Sequence, residues 1–177
     1  MGSVITRSRF SREKKIYLAI FATYFTAAFA FLAIGLQPIK SSAEVYATEA
    51  QTAIGLLSID SIGLHAPVKT VKLNGKTLEV PEQITGAYSV HENKTLIIGH
   101  SSTVFNRLNE AKIGEEITYN GNKYNIINIE EKRKEDVIMK DILKAEDEDT
   151  LILMTCSGEK IANTESDHTH RLVITAK

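Results

Sequence analysis

The chain has 177 residues, 43% of them hydrophobic, with 21 Lys and Arg against 22 Asp and Glu and a formal net charge of −1. That is room for one folded domain with appendages, at an ordinary globular composition. The charge is unevenly placed: residues 1–40 hold six basic residues and one acidic one, leaving 15 basic against 21 acidic, a net −6, for residues 41–177. An acidic body is a poor nucleic-acid binder, because phosphate contact needs clustered Lys and Arg, and no nucleic-acid partner is expected.

Residues 16–39 form a run of 24 without a charge, dominated by Ile, Leu, Ala and Phe. As a helix rising about 1.5 Å per residue this run spans roughly 36 Å, enough to cross the hydrocarbon core of a bilayer with some tilt. Arg7, Arg9, Arg12, Lys14 and Lys15 precede it, against Glu13 alone among acids. The positive-inside bias then places residues 1–15 in the cytoplasm as a basic tail and the remainder of the chain outside, on the surface of the cell membrane. A cleaved signal peptide, ending near Ser41-Ser42-Ala43 or Val45-Tyr46-Ala47, is the rival assignment; the apolar cores of such peptides run to about 7–15 residues, shorter than this one. Gly2 to Thr6 matches a myristoylation signal only loosely, which chance accounts for in a chain with its own spanning helix.

Residues 40–53, rich in Ser, Ala, Thr and Glu, are expected to form a flexible stalk, with the folded domain at 54–177. Within it, residues 55–59, 67–71 and 77–80 are short β-type runs, with Asn74-Gly75 as a hairpin signal. Residues 95–99 predict a buried strand that delivers His100 at its end, and 101–111, with Val104, Phe105 and Leu108 at helical spacing, predict a short helix or helical turn. Residues 117–119 and 124–129 flank Asn120-Gly121, a second hairpin signal. Residues 137–143 predict a short helix with Asp136 as N-cap, and 150–155 and 172–175 predict strands. Six or more short strands with few helices argue for a mostly β fold, a closed or nearly closed barrel of about eight strands.

The only cysteine, Cys156, ends the run Thr150-Leu-Ile-Leu-Met-Thr155, and Ser157-Gly158 after it reads as a turn that leaves its sulfur at a barrel rim. One cysteine makes no disulfide within the chain, so outside the cytoplasm this thiol is either buried and inert or kept for its nucleophilicity. His100, at a strand end, is a candidate proton donor. Arg171, opening the last strand, is a candidate cation for a developing oxyanion. Taken singly, each residue also has a structural explanation: a packed thiol, a solvated imidazole, a surface guanidinium.

Together, Ile98-Gly99-His100, Leu153-Met154-Thr155-Cys156 and Arg171-Leu172-Val173, with the arginine fifteen positions after the cysteine, resemble the sortase family of cysteine transpeptidases. The family pattern at the nucleophile is Thr-Leu-x-Thr-Cys, and Ile152 stands here in place of the first Thr. Residues 59–68, Val104-Phe105-Asn106-Arg107-Leu108 and Gly114-Glu115-Glu116-Ile117 extend the resemblance over nearly all of 54–177. The resemblance implies that Cys156 attacks the Thr carbonyl of a Leu-Pro-x-Thr-Gly-like (LPxTG-like) sorting signal on a secreted protein and forms a thioacyl intermediate. It further implies that His100 protonates the departing Gly amine and later deprotonates an incoming amine, from a peptidoglycan precursor or a pilin lysine, and that Arg171 binds the oxyanion. The chain has no Asp-Pro, the start of the lid common in pilin-polymerising members, so a lid-less, non-pilin type is expected.

No cofactor and no metal site is expected. The acidic run Glu146-Asp147-Glu148-Asp149 offers calcium ligands, as in some sortases, but reads first as a solvated turn. Asp167, His168 and His170 lack a fourth metal ligand, and strand alternation turns His170 away from the face of Arg171. The alternative to an enzyme is a membrane-tethered extracellular β-barrel scaffold or adhesion module with a buried Cys156. Papain-like peptidases are excluded by chain order, since their cysteine precedes their histidine, and L,D-type peptidoglycan transpeptidases by the lack of a His-Gly near the cysteine.

Overall fold

Eight strands close on themselves in the order β1-β2-β5-β6-β9-β10-β8-β7. They are β1 (Gly55–Ile59), β2 (Leu64–Thr70), β5 (Thr85–His91), β6 (Lys94–Ile98), β7 (Glu116–Tyr119), β8 (Asn122–Arg133), β9 (Thr150–Lys160) and β10 (His168–Ala176). A separate hairpin is made by β3 (Leu73–Asn74) and β4 (Thr77–Leu78), and the α-helices are α1 (Ser42–Ala50) and α2 (Met139–Ile142). This is a computed structural model of the chain, and it describes residues 41–177 apart from 75, 76, 163, 165 and 166. The basic tail and the expected spanning run 16–39 lie outside the described residues. Among those described, no helix is long and apolar enough to cross a membrane.

Two ladders are parallel, β2 with β5 and β6 with β9; the others in the barrel are antiparallel. The seam closes where Leu57 and Ser58 pair with Tyr119 and Thr118. It is stapled by the β7–β8 turn, where Asn120 and Gly121 both have positive φ (51° and 84°). That geometry matches the right-handed twist of the strands. It also lets the Asn120 side-chain oxygen accept the Leu56 N–H at 3.1 Å.

The barrel interior is apolar, built from Leu57, Ile59, Val68, Ile97, Ile117, Ile126, Leu153 and Ile174, with Phe105 and Leu108 added from the segment after β6. A second cluster covers the outer face of β6, β9 and β10: Leu96, Ile98, Ile152 and Val173 pack with Val71, and against Leu78, Val80, Met139, Leu143 and Met154. This accounts for the four consecutive apolar residues Leu151, Ile152, Leu153 and Met154. Leu151 and Leu153 point inward, Ile152 and Met154 point outward, and both faces are covered. Each such side chain contributes roughly 1.5–3 kcal/mol on burial.

Several expectations are corrected. Residues 42–50, expected in a flexible stalk, form α1. Its start is a capping box in which Ser41 Oγ accepts the Glu44 N–H and the Glu44 carboxylate accepts the Ser41 N–H. Of the two forms expected for residues 101–111, a short helix or a helical turn, the structure shows the turn, with one 3₁₀ turn at Leu108–Glu110, and Phe105 and Leu108 both pack into the barrel core. Asp136 does not cap α2; it ends a 3₁₀ turn (Lys134–Asp136), and the residue in the cap position is Ile138. Cys156 does not end its strand. β9 runs on to Lys160, with a bulge near Gly158 where three steps on β9 face two on β10.

Candidate active site

The parallel ladder of β6 and β9 places Ile98 opposite Met154. Two residues further on come Cys156, on the same outward face of β9 as Met154, and His100, two residues past the end of β6 and lining the same cavity. Between them the inward-pointing Thr155 extends the pairing past the end of β6, its hydroxyl donating to the Gly99 carbonyl at 2.8 Å in a buried bond. Gly99 admits no side chain: a Cβ there would meet Val104 Cγ1 at 2.7 Å and Phe105 Cδ2 at 2.9 Å. Phe105 and Thr103 in turn donate their backbone N–H to the His100 carbonyl, at 3.0 and 3.3 Å. The histidine is thus held by the core on one side and by its own turn on the other.

Arg171 comes from the opposite neighbour of β9 and is the direct antiparallel partner of Cys156. Cross-strand partners on one face lie about 4.5–5.5 Å apart at Cβ. His100, Cys156 and Arg171 all line one cavity of about 800 Å³. Its walls are otherwise largely apolar, with Leu73, Leu78 and Val80 on one side and Val137, Met139 and Leu143 on the other.

The Arg171 side chain is only 17% exposed, and three of its five N–H donors are engaged by its neighbours. Nη1 donates to the carbonyls of His168 (3.0 Å) and His170 (2.9 Å), and Nη2 to Asp167 Oδ1 (2.8 Å). The second Asp167 oxygen accepts from Lys134 Nζ. Lys134 first and Arg171 second hold the Asp167 carboxyl well below the usual carboxylate range, at about 2. Asp167 and Lys134 line the same cavity. The sequence considered Asp167 only as a metal ligand and gave no signal for Lys134, because the two meet across 33 positions of chain at the mouth of the barrel.

The remaining sequence candidates fall elsewhere. His170 lines a different cavity, with Gly158, Glu159 and Thr169, and its Nδ1 lies 2.8 Å from Thr169 Oγ1. Glu146 is paired with Lys94 (3.4 Å) and Lys177 (3.6 Å), and Glu148 with Lys177 (3.5 Å). Among the described residues no group of three or more His, Cys, Asp or Glu side chains is placed to hold a metal ion.

Comparison with solved structures places the fold. Sortase A of Listeria monocytogenes superposes with a TM-score of 0.54 at 13% identity, over 71% of this chain and 86% of that one. The sortase SrtA of Actinomyces oris gives 0.53 at 21% identity, over 71% and 78%. The Clostridium perfringens sortase D5 transpeptidase gives 0.52 at 25% identity, over 78% and 89%. No curated protein sequence matches the chain. The family model for the sortase domain matches residues 57–177, nearly the whole of the barrel, and the chain therefore belongs to the sortase family of cysteine transpeptidases.

Proposed function

We propose that the protein is a membrane-anchored, lid-less sortase that cleaves an LPxTG-like sorting signal between Thr and Gly and transfers the upstream protein to an amine of the cell envelope. The observation that carries this reading is the convergence of His100, Cys156 and Arg171 on one cavity. The apolar walls of that cavity suit the Leu and Pro of such a signal.

The Cys156 thiolate attacks the Thr carbonyl carbon, and the electron pair of the C=O bond moves to oxygen. Arg171 donates hydrogen bonds to that oxyanion. Collapse expels the Gly amine, which takes a proton from the His100 imidazolium, and leaves a thioester on Cys156. An incoming amine then attacks the thioester carbonyl and gives its extra proton to His100, and the thiolate leaves. A peptidoglycan precursor or a pilin lysine supplies such an amine.

The uncharged run 16–39 and its basic flank support an anchor with the catalytic domain outside the cell membrane. Protease added to intact cells should degrade the domain; degradation only after the membrane is broken rejects this topology. Incubation of residues 41–177 with a library of sorting-signal peptides, followed by mass spectrometry of the protein, should show an acyl adduct on Cys156 ending in Thr. A chain that stays unmodified with every peptide, while its thiol alkylates only on unfolding, is the scaffold module instead.

A further inference from the structure

Arg171 has five N–H donors. Three are committed before any substrate binds, to the His168 and His170 carbonyls and to Asp167 Oδ1. Among the described residues, Nε–H and one hydrogen of Nη2 remain for an oxyanion. Two carbonyls and a carboxylate fix the plane of the guanidinium, and the carboxylate is itself fixed: Asp167 Oδ1 also accepts the His168 N–H at 3.0 Å, and the Asp167 carbonyl accepts the Ile161 N–H at 2.9 Å.

A lone aspartate would position Arg171 at a cost, because its negative charge cancels the positive field that an oxyanion needs. Lys134, delivered by the 3₁₀ turn after β8, bonds the free Asp167 oxygen and lines the same cavity. The cluster Lys134, Asp167, Arg171 thus keeps a net charge of one plus while its central carboxylate orients the arginine. An exposed ion pair has no such consequence. Here the side-chain exposures are 17% for Arg171 and 27% for Asp167, so that pair is largely withdrawn from water, and Lys134, 47% exposed, closes it on the solvent side.

On the reading of Arg171 as the oxyanion donor, we propose that Asp167 is a positioning residue that fixes the Arg171 guanidinium beside Cys156, and that Lys134 offsets its charge. The acylation rate then depends on both groups, although neither contacts the scissile carbonyl.

The test is single-turnover acylation of Cys156 in residues 41–177 by an LPxTG-type peptide, with Asp167→Asn, Asp167→Glu, Lys134→Gln, Arg171→Ala and the double variant Asp167→Asn/Arg171→Ala. Asp167→Asn should lose at least tenfold in acylation rate with little change in peptide KM and an unchanged rate of Cys156 alkylation. Asp167→Glu should recover part of the loss, and Lys134→Gln should lose less than Asp167→Asn. In the Arg171→Ala background, Asp167→Asn should cost nothing more, since the group it orients is gone. A loss below tenfold in Asp167→Asn, or one that persists at full size without Arg171, overturns the positioning role; unchanged acylation in Lys134→Gln overturns the charge offset. Full activity of Arg171→Ala rejects the underlying assignment of Arg171, an outcome distinct from either.

Discussion

Arg171 stands directly across the β9–β10 ladder from Cys156, so the backbone register sets how close a guanidinium comes to the sulfur, independently of any loop. A cation held this way can serve an oxyanion without moving. Arg171→Ala should lower kcat/KM for a sorting-signal peptide by about 10²–10³. Arg171→Lys keeps the charge but not the planar fork that meets two carbonyls and a carboxylate at once, and should recover only part of the activity. Equal activity of wild type and Arg171→Ala would remove the arginine from the mechanism.

His100 and Cys156 separate by chemistry. Expelling a Gly amine needs a proton, whereas alkylation of a thiol needs none. His100→Ala should lose on the order of 10²–10⁴ in transpeptidation, while Cys156 still reacts with iodoacetamide in the folded protein. Cys156→Ala should be inactive yet melt close to wild type, because the thiol is only half-buried at the cavity wall. Peptide cleavage by Cys156→Ala would exclude the thiol as nucleophile.

Thr155 carries no chemistry of its own, but its hydroxyl is the bond that ties Gly99, and so the approach to His100, to β9. Thr155→Val preserves shape and leaves a buried carbonyl without its donor, which costs about 1–3 kcal/mol. We expect a lower melting temperature together with a fall in kcat larger than the fall in Cys156 alkylation. A variant that loses stability but keeps kcat would show that His100 is placed by its own turn alone.

Much of this was legible from the chain. The Asn120-Gly121 turn, the buried strand leading to His100 and the opposite facing of His170 and Arg171 all follow from local residue types and period-two alternation. Strand β5 was not seen, because Thr85-Gly86-Ala87 offers small residues with no apolar alternation. It is held by partners on both sides, β2 and β6, which no local pattern reveals. The continuation of β9 beyond Cys156 was hidden by Ser157-Gly158, which reads as a turn and is instead a bulge within the strand. Lys134 and Asp167 were out of reach for a similar reason: their meeting depends on barrel closure.

Asp167 also gives a pH signature. Its carboxyl is held at about 2 in the folded chain, chiefly by Lys134 and then by Arg171, below the ordinary aspartate value of 3.8. A lowered folded value means that the unfolded chain binds the proton more readily. The stabilisation is therefore complete above about pH 4 and is lost as pH falls towards 2. Wild type should lose stability through this window more steeply than Asp167→Asn, as read by urea denaturation at each pH. Parallel curves would show that the carboxyl titrates normally.

The last prediction concerns α1, whose Glu49 ties the helix to the Glu82–Gln83 segment, just after Val80 on the wall of the candidate cavity. The two Glu49 oxygens accept the backbone N–H groups of Glu82 (3.0 Å) and Gln83 (2.9 Å), Lys69 Nζ lies 3.7 Å away, and the side chain is only 14% exposed. The Glu82 carbonyl accepts the Thr103 hydroxyl at 2.7 Å, and the Thr103 N–H returns to the His100 carbonyl. The path from helix to histidine is thus a chain of single hydrogen bonds, close to Val80 on the cavity wall. Glu49→Ala strands two amides that a charged acceptor had satisfied, at a cost of about 1.5–3 kcal/mol. Amide exchange at Glu82 and Gln83 should speed up markedly, with a smaller effect in the turn at Thr103 and none in the β8–β10 ladder, and removal of residues 41–53 should reproduce the pattern. Unchanged exchange at Gln83 in both proteins would mean that the barrel holds this loop without the helix.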